Sequence, residues 1–140
     1  MKKIINNPEK VVSEMLFGME IAEPSLRYFP GSELIARRNV NQNKVAVISG
    51  GGSGHEPAQA GYVGAGMLDA AVSGNVFASP SPDRIIGAIH EVGGDKGVLM
   101  VIMNYSGDIM NFGMAAELAE MEGYKVLSVV TKDDVAVADS

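Results

Sequence analysis

Val45-Ala46-Val47-Ile48-Ser49-Gly50-Gly51-Gly52-Ser53-Gly54-His55-Glu56-Pro57 is the part of the chain from which the architecture is read. Five residues of strand character, Val45 to Ser49, run directly into a glycine cluster. An apolar run that ends in glycines marks backbone that needs φ > 0 or close approach of another group. In a parallel α/β sheet that place is the C-terminal edge of a strand, where ligands bind. His55 and Glu56 follow at once, on a loop carried by a rigid scaffold. The glycines at 50, 51, 52 and 54 are expected to leave N–H groups free for an oxygen-rich ligand.

Working outward, Asn7-Pro8 is a helix start: a side-chain cap, then proline at the first helical position. Val11, Val12, Met15, Leu16 and Met19 share a face at helical spacing, and Pro24 ends the helix near Glu23. Tyr28 to Ser32 reads as a turn and Leu34-Ile35-Ala36 as a short edge strand. Beyond Pro57 the glycine-rich run to Leu68 allows one or two helical turns, and residues 69–77 form a short strand with its exit. Ser81-Pro82-Asp83 starts a second helix, with Ile85, Ile86 and Ile89 buried and Gly93-Gly94 as its stop. Gly97 to Ile102 is apolar on both faces, as a central parallel strand requires. A third helix is expected over roughly 109–122, with Met110, Met114, Leu118 and Met121 inward, and a last strand at Lys125–Thr131. This alternation implies an α/β fold, a mainly parallel sheet flanked by helices on both faces.

The 140 residues suit one domain. A net charge of −6 argues against nucleic acid, which needs a basic face. No run of apolar residues is long enough for a membrane span or a signal peptide. There is no cysteine, which fits a reducing, cytoplasmic setting. The end, Asp133 to Ser140, begins an element without closing it, so the chain is expected to be the first part of a longer protein.

Polar groups gather at two strand ends, 49–56 and 103–108. If both strands are parallel, His55 and Asp108 reach one edge of the sheet and form a natural acid/base pair. Each feature also has a structural reading. The glycines make a tight turn, Glu56 pairs or caps locally, and Asp108 caps the helix that follows it. His90 belongs to a solvated helix face, Tyr105 to packing, and the nine methionines to the core. The cluster is not G-x-G-x-x-G, and no P-loop, G-x-S-x-G or H-E-x-x-H occurs. With two histidines and no cysteine, no metal site is expected.

The run Ser49–Pro57 resembles the signature of the dihydroxyacetone kinases, specifically their substrate-binding K subunit. So do Gly61-Tyr62-Val63-Gly64, Gly66-Met67-Leu68, Val76 to Asp83, Asn104-Tyr105-Ser106-Gly107-Asp108 and Asp133 to Val137. The resemblance implies that residues 1–140 are the N-terminal α/β part of the K domain, that the full-length protein is a homodimer, and that the ligand is dihydroxyacetone. It implies substrate contacts from Gly52, Ser53, Gly54, His55, Met103 and Asp108. His55 would be the acid/base and Asp108 the carboxylate that binds and activates the hydroxyl. ATP or ADP with Mg would sit on a partner, an L-type subunit recharged by an M-type phosphocarrier, or on a further domain of the same chain. No cofactor is expected on this chain. Two departures stand out. Met103 occupies a place where the family's kinases carry a substrate-contacting lysine. His90 does not match the later histidine that captures the ketone covalently. These leave a second reading, a non-catalytic dihydroxyacetone-binding paralogue acting as sensor or co-activator.

Overall fold

A computed structural model describes residues 3–136. The Asn7 side chain accepts a hydrogen bond from Glu9 N, and a 3-10 turn at Pro8–Lys10 leads into α1 (Val11–Ala22). The remaining elements are β1 (Leu26–Phe29), β2 (Leu34–Arg37), β3 (Ala46–Ser53), β4 (Ala70–Val76), α2 (Pro82–Val92), β5 (Val98–Met103), α3 (Ser106–Met121) and β6 (Val126–Thr131). They form a six-stranded sheet in the order β1-β2-β4-β3-β5-β6. The four strands β4, β3, β5 and β6 are parallel, as expected. β1 and β2 form an antiparallel hairpin, and β2 joins β4 antiparallel.

That hairpin corrects the sequence reading. Tyr28 and Phe29 are strand, and the turn begins only at Pro30. β2 is interior, with β1 as the edge. The turn is closed by side chains as well as backbone: the Tyr28 hydroxyl donates to Glu33 Oε2 at 2.6 Å.

Two cores follow from strand alternation. One face of the sheet, with Ala46, Ile48, Val72, Met100 and Ile102, packs against Ile85 and Ile89 of α2 and Phe112, Ala115 and Ala119 of α3. The other face holds Tyr28, Ile35 and Ala71 against Leu16 of α1, with Ala60, Val63 and Leu68 of the β3–β4 connection. α1 packs on β1, β2 and β4. Over β6 that second face is bare among the described residues: Leu127 is 75% and Val129 48% exposed. Helices therefore cover both faces only in part.

The third helix also departs from expectation. It begins at Ser106, so Asp108 belongs to its first turn. Met110, Met114, Leu118 and Met121 are exposed, and Asp108, Phe112, Ala115 and Ala119 are buried. The helix carries two apolar rows offset by about half a turn. The row with small side chains lets the helix come close to the sheet, so it is the one buried.

Asp69 anchors the N-terminal edge of the parallel strands. It is fully buried and accepts from Val47 N at 2.9 Å, Arg37 Nη1 at 2.8 Å and Lys44 Nζ at 3.0 Å. Burial pushes its carboxyl up, but the Val47 N–H, Lys44 and Arg37 together outweigh that and hold it below the usual carboxylate range.

Candidate functional site

β3 runs further than its apolar residues. Gly50, Gly51 and Gly52 continue the strand opposite Val72, Ser73 and Gly74 of β4. They are glycine because neighbours come close. A Cβ on Gly50 would collide with the Val72 carbonyl oxygen, one on Gly51 would lie 2.5 Å from Met103 Cε, and one on Gly52 2.7 Å from Ala78 N. The loop starts at Gly54, whose φ of +117° favours glycine. The Gly54 N–H donates to Glu56 Oε2 at 2.9 Å, so it is not free for a ligand, and Glu56 forms no ion pair among the described residues.

β5 ends at Met103, and α3 starts three residues later. The parallel register of β3 and β5 puts both exits on one edge of the sheet. There His55 and Asp108 line one cavity of about 360 Å³, together with Gly52, Phe77, Ser79, Tyr105 and Gly107. The expected convergence of imidazole and carboxylate is what the fold builds. Asp108 is 4% exposed, and its Oδ1 has no hydrogen-bond partner among the described residues. Burial pushes its carboxyl up; a hydrogen bond with Ser79 and the nearby His55 oppose this without reversing it. Asp108 lies in the first turn of α3, whose N-cap residue is Tyr105. A buried oxygen left without a donor is costly, so its partner is to be sought in whatever enters the cavity.

Two aromatic rings flank His55. Phe77 meets it edge to face, with centroids 5.9 Å apart, and Tyr105 lies tilted at 5.8 Å. Tyr105 is 46% exposed, so it is a wall of the site rather than core packing. On its far side His55 and Tyr105 also bound a second cavity of about 340 Å³, lined by Ala58, Met103, Asn104, Thr131, Asp133 and Asp134. Met103 belongs to this second cavity. Ser53 faces away from both: its hydroxyl donates to Gly74 O at 2.8 Å and ties β3 to β4. His90 sits at the opposite edge, paired with Glu122 at 2.5 Å, outside the site.

Sequence reasoning missed Phe77 and Ser79. Both precede α2, within the run Val76 to Asp83 that shares in the family resemblance but to which no site role is assigned from sequence. No periodicity points them to the site, because they reach the cavity through the β4–α2 turn. Among the described residues no group of three or more His, Asp or Glu side chains converges to hold a metal. No helix of the described residues is long and apolar enough to cross a membrane.

Comparison with known proteins adds an independent view. Residues 17–140 match the Dak1 domain. The dihydroxyacetone-binding subunit DhaK of the PTS-dependent dihydroxyacetone kinase of Lactococcus lactis is 53% identical over 140 residues, 99% of this chain and 42% of that protein. The DhaKLM operon coactivator DhaQ of the same organism is 42% identical over 135 residues, 96% of this chain and 41% of that protein. The crystal structure of the Citrobacter freundii dihydroxyacetone kinase with AMP-PNP and Mg2+ superimposes with a TM-score of 0.90 at 46% identity, covering 96% of this chain and 26% of that one. The chain thus spans about two fifths of the length of the L. lactis relatives.

Proposed function

Because the chain belongs to the Dak1 domain family, we propose that it is the dihydroxyacetone-binding portion of a dihydroxyacetone kinase, the N-terminal part of the K domain. The observation that carries this reading is the buried carboxyl of Asp108, its Oδ1 without a donor among the described residues, lining one cavity with His55. A triose hydroxyl in that cavity donates to the Asp108 carboxylate. In the reaction that hydroxyl oxygen bonds to the phosphorus of the donor while the bond from phosphorus to the donor's bridging oxygen breaks. His55 takes the hydroxyl proton, and Asp108 holds the hydroxyl in line. Such chemistry rests mostly on positioning and charge stabilisation. Gly52 lines the cavity beside them, where a side chain would meet Phe77 and Ala78.

The phosphoryl donor, a nucleotide with Mg2+, belongs in this reading to an L-type subunit or a further domain, recharged in the PTS form by an M-type phosphocarrier. The cavity offers His55 and Asp108 as metal ligands and no third group, so no step is routed through a metal on this chain. A cytoplasmic homodimer is the setting that this reading gives the full-length protein.

A second reading is favoured by Met103. An uncharged thioether borders the cavity behind His55, and a coactivator is among the relatives. In that reading His55 and Asp108 bind the triose without transferring phosphate. One experiment separates the two. Full-length protein is titrated with dihydroxyacetone and then assayed with an L-type subunit and phosphodonor. The kinase reading expects binding and turnover, with His55→Ala and Asp108→Asn abolishing turnover more than they weaken binding. Binding without turnover selects the sensor, and absence of binding rejects both.

A further inference from the structure

Phe77 occupies a backbone position unsuited to it. Its φ is +54°, a left-handed conformation that is a genuine outlier for a bulky residue. The side chain obtains no burial in return, being 75% exposed. The conformation is imposed from both sides: Phe77 N donates to Ser53 O at 2.8 Å, and Ala78 N to Asn75 O at 3.0 Å. Two glycines of the β3 exit make room for it. A Cβ at Gly54 would lie 2.7 Å from Phe77 Cε1, and one at Gly52 2.9 Å from the Phe77 carbonyl carbon. Backbone strain of this kind gathers where the surrounding structure holds a group for a purpose. What the ring meets is His55, edge to face at 5.9 Å, and the cavity that also contains Asp108.

We propose that Phe77 is a positioning residue. Its ring, braced between Gly54 and the imidazole, holds the His55 side chain in one rotamer turned toward the Asp108 cavity and closes that cavity to ligands bulkier than a small polyol or ketose. Tyr105 limits the ring from the other side at 5.8 Å. The ligand class rests on the function proposed above, whereas the restraint on His55 does not. A loop histidine free to rotate spends only part of its time within reach of a proton on the ligand, and misplacement of a reacting group is expensive in rate.

The test uses the full-length protein, in which the His55 ring signals are assigned by their loss in His55→Gln and those of His90, outside the site, serve as an internal control. Three-bond couplings read the His55 χ1 rotamer, a quantity that loss of a neighbouring ring current does not change by itself. Phe77→Gly suits the local φ and keeps the turn; Phe77→Leu keeps bulk without an aromatic edge. Both are expected to give averaged His55 couplings with His90 unchanged, and Phe77→Tyr to restore a single rotamer. Dihydroxyacetone affinity is expected to fall by about tenfold or more in Phe77→Gly and to return in Phe77→Tyr. A single His55 rotamer retained in both Phe77→Gly and Phe77→Leu overturns the proposal. Averaged couplings in a chain that binds no triose uphold the restraint on His55 and reject the function assigned to the cavity.

Discussion

Asp108 and Asp69 are two buried carboxylates with opposite demands. Asp69 is held below the usual carboxylate range, so it favours the folded state above the unfolded value of about 3.8 and loses that contribution as pH falls through its folded value. Asp108 is pushed up, so the folded state prefers it protonated; its contribution is full at low pH and is lost as pH rises through its folded value. Asp108→Asn, which removes the charge and keeps the shape, should therefore raise the melting temperature at pH 7. The gain should shrink toward zero as the pH is lowered below about 3.8, where the unfolded carboxyl is protonated as well. Thermal denaturation at both pH values measures this. A variant no more stable than wild type at pH 7 would show that burial does not strain the Asp108 carboxylate. Stability retained at the expense of activity is the usual relation at such a site.

Among the elements, β3 and β4 are joined by close approach of backbones, and α2 by ordinary helix packing. Gly50→Ala would force its Cβ against the Val72 carbonyl on the neighbouring strand and against the Phe112 ring, so a loss of about 1–3 kcal/mol is expected. Gly87→Ala, in α2 with nothing within 4 Å of the added methyl, should gain about 0.4–1 kcal/mol by stiffening the unfolded chain. Urea titration of the two variants reads both signs; a neutral Gly50→Ala would mean the strands can move apart freely. The Asp69 anchor ties β2, β3 and β4 through Arg37, Lys44 and the Val47 amide. Asp69→Ala leaves the Val47 N–H without its acceptor and the partly exposed Arg37 and Lys44 without their anion, and should cost about 1–3 kcal/mol, read by the same titration. Of the two cations Arg37 is the more enclosed, so Arg37→Met should be the costlier partner substitution.

At the scale of the molecule, α3 and β6 each leave an apolar surface open. One is the row Met110, Met114, Leu118 and Met121 on α3, the other Leu127 and Val129 on β6. They are exposed, so replacing them removes little burial. Met114→Gln and Leu127→Gln should each change stability by no more than about 0.5 kcal/mol. Both should lower self-association, which sedimentation can follow, because a bare apolar edge strand invites pairing. A large stability loss in either variant would mean that the side chain is buried in solution.

The sequence by itself settled the succession of strands and helices from β3 onward, the parallel arrangement, and the edge of the sheet at which His55 and Asp108 stand. Those features depend on local signals: apolar runs, proline and glycine boundaries, and the rule that parallel strands deliver their exits to one edge. Three things were settled only in the tertiary structure. The β1–β2 hairpin was hidden because Tyr28 and Phe29 lie beside a Pro-Gly turn, and their strand exists only by pairing with Leu34 and Ile35. The buried face of α3 was hidden because two apolar rows share helical spacing, and the distance to the sheet, not hydrophobicity, selects the one with alanines. The glycine run suggests a loop by composition, yet most of it is strand, where it lets Val72, Met103 and Ala78 come near. Phe77 belongs with these. A residue whose position is set by what surrounds it leaves no periodic trace in the chain, because contacts between residues distant in sequence are chosen by packing and not by local propensity.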